Sequence, residues 1–201
     1  MNTLLERFNI QWFLAINAPE HANIWLTRWA IVCADFLIYL VPLLLVYLWF
    51  WGGERERKSA LFAVLVALIA LGLAQVLGML FPHPRPFMVG IGHTLIPHVA
   101  DSSFPSDHAT FFSAIGVSLW FMSQRLWAVL VLMVGLVVVW SRLYLGVHFP
   151  MDMMGAFVLS AMTSFVLLPI WNVFESFVYR MIAPLYSSIF ALPIRKGWVR
   201  P

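Results

Sequence analysis

Apolar residues come in long runs along this chain, and the polar residues between them are bunched rather than scattered. The first run long enough to cross a bilayer covers residues 29–51 and carries tryptophan at both ends, as membrane interfaces favour. Residues 52–58 read as a compact charged turn, and a second run covers 59–81. The stretch 82–107 is rich in Pro, Gly and His, which break helix, so it reads as an extended loop with one short helix. Further runs cover 106–123, 126–142 and 150–171. Near the start, residues 2–18 set Leu4, Leu5, Phe8, Trp12, Leu14 and Ile16 among polar neighbours, the pattern of a short helix lying at an interface. Beyond 171 the chain is aromatic and mildly basic, with Pro184 and Pro193 interrupting it. That tail is expected to lie along the surface, with a sixth, imperfect span as the alternative. The expected fold is all-α: a polytopic membrane helix bundle of about five transmembrane helices (six with the tail) and an N-terminal interfacial helix. It forms one domain over residues 1–201.

Composition sharpens this picture. Hydrophobic residues make up 62% of the 201, charged residues 10%, and the mean hydropathy is +0.88, too little polar surface for a soluble globular domain. A net charge of +3 without basic clustering outside the loops and tail argues against nucleic acid as a partner, and nothing calls for a protein partner. The lone Cys33 can form no intrachain disulfide. The first twenty residues, with Glu6 and Arg7, lack the form of a cleavable signal peptide.

Lysines and arginines are unequally shared between the two sets of loops. The N-terminal segment and the loops after the second and fourth spans hold Arg7, Arg28, Arg85 and Arg142. The other loops and the tail hold Arg55, Arg57, Lys58, Arg125, Arg180, Arg195, Lys196 and Arg200. The positive-inside rule places the second set in the cytoplasm and all six histidines outside. A bacterial cytoplasmic membrane with the polar clusters facing the exterior is the expected location.

Three of those clusters carry chemistry. His148 precedes Pro150, a residue suited to a first helical turn, and Asp152 falls within that turn. There its carboxylate can accept from one imidazole nitrogen, fix the tautomer, and leave the other nitrogen as a nucleophile. Arg142, at the end of the preceding helix, offers a planar fork of donors to a phosphoryl group. Ser106, after Pro105, is a natural N-cap, and the free N–H groups of the following turn favour an anion. His108, in the same turn, can protonate a leaving oxygen. Arg85, between two prolines, is presented by a stiff loop to a phosphate. No acidic metal cluster accompanies these residues, so metal-independent chemistry without a cofactor is expected. Asp35, inside the first span, either orients an active-site arginine or pairs with Arg28, and Gln75 reads as a helix-packing contact. His93 and His98 read as loop surface and His21 as interfacial.

Together the clusters resemble the type 2 phosphatidic acid phosphatase superfamily. Its signature joins a lysine followed by Arg-Pro, a Pro-Ser-Gly-His element, and Ser-Arg-x5-His-x3-Asp. The third part is matched in full from Ser141 and Arg142 through His148 to Asp152, the second as Pro105-Ser106-Asp107-His108, and the first as Arg85-Pro86. The resemblance implies a transiently phosphorylated His148 supported by Asp152, His108 as general acid, and phosphate held by Arg85, Ser106 and Arg142. Gly78 stands where the family has lysine, with His83 the nearest substitute as a phosphate ligand, and Asp107 stands where glycine is usual, beside the phosphate. Both departures, with the His-Pro-Arg-Pro-Phe run, are similar to the bacterial undecaprenyl-diphosphate phosphatase branch. That implies a membrane-lipid substrate, an isoprenoid diphosphate of the cell-wall carrier. A phosphotransferase using the same donor, and a phosphatase of phosphatidic acid or phosphatidylglycerol phosphate, are the neighbouring alternatives. A small transporter is disfavoured, because the polar groups gather at one face instead of lining a path. The soluble vanadium haloperoxidases share the signature but not this composition.

Overall fold

The computed structural model describes residues 4–201, and among them every regular element is helical. Asn2, where the sequence pattern starts the first helix, lies outside the described residues. Helix α1 covers Leu4–Ile16. Helices α2 (Ile24–Phe36) and α3 (Leu40–Phe50) are joined by one 3-10 turn, so that Ile24–Phe50 forms a continuous candidate span. The tightened turn falls where Pro42 cannot donate to the carbonyl four residues back. Helices α4 (Glu54–Leu80), α5 (Asp107–Phe121), α6 (Arg125–Tyr144) and α7 (Pro150–Ile189) follow, and α8 (Ala191–Arg195) closes the chain.

Four of these segments are long and apolar enough to cross a membrane: 24–50, α4, α6 and α7. The multi-pass bundle read from the pattern is therefore present. Its expected third span, α5, has only 15 residues, about 22 Å of helix. It sits at the centre of the bundle, against α4, α6 and α7. Its Phe112, Ile115 and Leu119 are fully enclosed with Phe62, Val66 and Val138. Small polar residues bring these helices close: Ser160 donates to the Thr110 carbonyl on α5 at 3.0 Å, and the Ser118 and Ser164 hydroxyls lie 3.3 Å apart. Close packing and interhelical hydrogen bonds hold such helices together, since lipid is as apolar as their side chains.

Two boundaries differ from the sequence reading. The charged stretch 52–58 is mostly helix, because Glu54 and Glu56 suit an N-terminal first turn and Glu56 accepts from the Gly53 N–H at 2.8 Å. The tail does not leave the bundle at 171. Instead α7 continues through Pro169 and Pro184 to Ile189, about 60 Å in all. Its packing overrides the prolines: Trp171 lies on Phe62, Lys58 pairs with Glu175 at 3.2 Å, and Tyr186 lies on Trp49 and Phe50.

Helix α1 buttresses the bundle. Leu4, Leu5, Phe8 and Trp12 face outward, while Asn9 and Phe13 are buried. Asn9 accepts from the Met151 N–H at 3.0 Å, Phe13 meets Phe149 edge-on at 5.2 Å, and Asn17 donates to the Tyr144 and His93 carbonyls. These contacts grip the α6–α7 turn. Gly146 is required there: its φ is +81°, and a Cβ would lie 2.1 Å from the His93 carbonyl oxygen.

Candidate active site

Helices α4 and α6 end, and α5 and α7 begin, at one end of the bundle, and the loop 81–106 folds over them. A polar cavity of about 350 Å³ opens there, lined by Arg85, His98, Asp101, Asp107, His108 and His148 among others. Three stretches far apart in sequence thus converge on one space.

His148 is buried and held from both sides. Its Nδ1 lies 3.1 Å from the Ser103 carbonyl oxygen and 3.3 Å from Asp152 Oδ2. Its Nε2 lies 3.1 Å from Arg85 Nη1. A guanidinium has only donors, so Nε2 must present its lone pair, and a carbonyl only accepts, so the proton sits on Nδ1. Both neighbours select the same tautomer. Burial pushes the His148 imidazole below its ordinary 6.5; Asp152 opposes this, while Arg85 and Arg142 reinforce it. Asp152, 1% exposed, is fixed in turn: Oδ2 accepts from the Phe149 N–H at 2.7 Å and from the Ser103 hydroxyl.

Arg85 is anchored as well as aimed. Nε donates to Asp101 at 2.8 Å, Nη1 also to the Val147 carbonyl at 2.9 Å, and Nη2 to the Ser102 carbonyl at 3.3 Å. Burial works against the Asp101 charge, but the Arg85 hydrogen bond and positive charge outweigh it and hold that carboxyl below its ordinary value. Arg142 donates from Nη2 to His108 Nε2 at 2.6 Å and to the Ala34 carbonyl at 3.4 Å. Its Nε is buried and has no hydrogen-bond partner. Ser106 precedes α5 but does not cap it through its side chain; its hydroxyl is buried and likewise unpaired, while its N–H donates to the Asp152 carbonyl. Buried donors without partners are costly, and an anion accepting from them removes the cost.

The remaining candidates are placed as follows. Asp107 lines the cavity with its carboxylate held by Gln75 Nε2 at 2.8 Å, so Gln75 does more than pack helices. Gly78 also lines it, and a Cβ there would lie 3.2 Å from the Phe104 carbonyl oxygen, so a larger residue would need the loop to give by a few tenths of an ångström. His83, expected as the substitute ligand, stands behind Asp152 in a separate groove of about 510 Å³, because the first turn of α7 passes between it and the cavity. His98, expected at the loop surface, lines the cavity instead, its ring edge-on to His148 with centroids 6.2 Å apart. Asp35 is exposed and makes no ion pair among the described residues. Ser103 escaped the sequence reading altogether; it lies in a loop, outside any of the motifs.

A bundle with helices long enough to span a membrane thus gathers arginines, histidines and unpaired donors around one pocket suited to a phosphate. The sequence profile of the PAP2 superfamily matches residues 59–175, and the chain belongs to that superfamily. It is 40% identical over 200 residues to an Escherichia coli K12 protein provisionally named undecaprenyl-diphosphatase YbjG, covering 98% of this chain and all of that one. It is 31% identical to the undecaprenyl-diphosphatase BcrC of Bacillus subtilis, over 90% of this chain and 93% of the relative. Two crystal structures share the fold. Aquifex aeolicus LpxE gives a TM-score of 0.67 at 21% identity, over 81% of this chain and 95% of that one. A PAP2-type phosphatidylglycerolphosphate phosphatase from Bacillus subtilis gives 0.65 at 21%, over 84% and 87%.

Proposed function

We propose that this chain hydrolyses undecaprenyl diphosphate to undecaprenyl phosphate and inorganic phosphate through a phosphohistidine at His148. The observation that carries the reading is the tautomer of His148, whose Nε2 lone pair faces the cavity-lining Arg85 while Nδ1 is tied to Ser103 and Asp152. In the first step Nε2 attacks the terminal phosphorus and the bond to the bridging oxygen breaks. His108 in its protonated form gives that oxygen its proton, so that lipid monophosphate leaves. In the second step a water attacks the phosphorus, His108 takes its proton, and the P–N bond breaks to release phosphate and restore the imidazole. Asp152 balances the cationic imidazolium between the two steps, and Arg85, Arg142, Ser106 and the first amides of α5 stabilise the spread charge on the phosphoryl oxygens.

The substrate assignment draws on the two relatives named as undecaprenyl-diphosphatases. A lateral apolar groove of about 580 Å³ between α5, α6 and α7, lined by Phe112, Leu136, Val139, Met153 and Phe157, suits a long prenyl chain beside the polar cavity. The distribution of lysine and arginine supports a bacterial cytoplasmic membrane with the site facing outward, where the carrier lipid would be returned to its monophosphate.

Purified protein in detergent, given undecaprenyl diphosphate with a chelator present, is expected to release phosphate, and His148→Ala to release none. Turnover in that variant would remove the nucleophile from the scheme. Transfer of phosphate to a second lipid without free phosphate would make the enzyme a phosphotransferase. Release by intact spheroplasts from added substrate checks the outward orientation; release only after lysis would reverse it.

A further inference from the structure

We propose that His83 is a positioning residue that acts on the nucleophile through Asp152, with Glu6 of α1 as its support. The inference rests on His148 being the nucleophile. Asp152 has two faces. Oδ2 serves His148, Ser103 and the Phe149 N–H, whereas Oδ1 looks the other way, toward His83 Nδ1 at 3.8 Å. On the far side of that ring, His83 Nε2 lies 3.8 Å from Glu6 Oε2. Carboxylate, imidazole, carboxylate and imidazole therefore alternate in a line from the N-terminal helix to the reacting nitrogen.

Each member of the line is held independently. The His83 N–H donates to Ser102 Oγ at 3.2 Å, its carbonyl accepts from the Ser103 N–H at 2.7 Å, and its ring meets Phe149 edge-on. Glu6 rides on α1, which Asn9 and Phe13 fasten to the first residues of α7 and the residue before them. At 3.8 Å the couplings are longer than direct hydrogen bonds, so they act through charge or through a bridging water, for which the groove has room.

What this line controls is the carboxylate. When Nε2 bonds to phosphorus the ring of His148 becomes cationic, and Asp152 must supply the balancing charge. Whatever occupies Oδ1 sets the plane of the carboxylate and the share of its charge that reaches His148. His83 touches none of the cavity that would hold phosphate, so its loss should slow the chemistry and leave anion binding alone. Outer partners that orient the histidines of metal sites are commonly worth about 10–100-fold, and a histidine orienting Asp152 is expected to act at the low end of that range.

The test uses full-length protein in detergent, with turnover normalised to phosphoenzyme trapped by alkaline quench. His83→Leu is expected to lower kcat about tenfold, with KM for undecaprenyl diphosphate and the inhibition constant of inorganic phosphate within about twofold of the parent. His83→Asn, which keeps a donor near the position of Nδ1, should recover most of kcat. Glu6→Gln should lower kcat less, and Glu6→Gln with His83→Leu no further than His83→Leu alone, because the two act in series. A raised phosphate constant with normal kcat would make His83 a phosphate ligand after all. Multiplying effects, or His83→Asn as poor as His83→Leu, would also overturn the line. An inactive His148→Ala beside an unaffected His83→Leu sinks this inference alone; an active His148→Ala sinks the reading of the site beneath it.

Discussion

Each end of the bundle buries arginine, and the two ends use it in opposite ways. At the far end Arg57 is 1% exposed and fully occupied: Nε donates to the Trp49 carbonyl, Nη1 to the Pro201 carbonyl and Nη2 to the Arg200 carbonyl. The Tyr186 ring covers it at 4.4 Å. At the site end Arg142 spends one nitrogen on an imidazole and leaves Nε unpaired, while Arg85 points at His148, the proposed nucleophile. The side chain is the same. A guanidinium bound through all three nitrogens by backbone oxygens ties elements together, whereas one facing imidazoles and an open cavity has donors left for an incoming anion. Burial alone does not separate the two roles; the partners do.

Three substitutions or titrations test that contrast, beginning with the largest effect. Arg142→Lys should lower kcat/KM by about 10²–10³-fold, because an ammonium cannot reproduce the planar fork at the phosphoryl oxygens. Its melting temperature should stay close to that of the parent, and a variant that merely unfolds would erase the distinction. Next comes pH. An imidazole titrating at its ordinary value would cost about tenfold in kcat/KM at pH 5.5 relative to neutral. With His148 held below that value, the acid limb should lie lower and the loss should be clearly smaller. The sign for stability is the same: the unfolded chain takes up this proton first, so the contribution of His148 is intact above 6.5 and declines as pH falls through its lower folded value. A limb centred at or above 6.5 would contradict the geometry. Smallest in turnover is Arg57→Gln, which should leave kcat/KM within about twofold of the parent. Its cost appears in stability, at roughly 1–3 kcal/mol for each carbonyl left dry, read as a lower melting temperature in detergent.

Much of the fold and of the candidate site was legible in the sequence, and the gaps have physical causes. Long apolar runs fixed the spans, since hydrophobic length is a local property. Spacing alone put His148 and Asp152 on adjoining turns, and Pro105 and Pro150 marked where α5 and α7 begin. Contacts made across the fold left no such trace. Ser103 reaches the His148–Asp152 pair only because its loop returns to α7, and His98 enters the cavity by the same return. His83 and Arg85 are separated by one proline, yet they end on opposite sides of the α7 first turn, a matter of tertiary path that no local pattern carries. The helix past Trp171 was hidden for a related reason: proline is a strong local stop, and only packing against α3 and α4 outweighs it.

The contact between Arg85 and His148 sets the order in which the proposed chemistry begins. Before any phosphorus is approached, the guanidinium must be coaxed off the ring, and only a group bearing negative charge can make that exchange worthwhile. The neutral tails that crowd the bilayer interior meet a nitrogen already spoken for. In the proposed scheme, selection thus begins at the threshold, by the visitor's ability to unlatch the door.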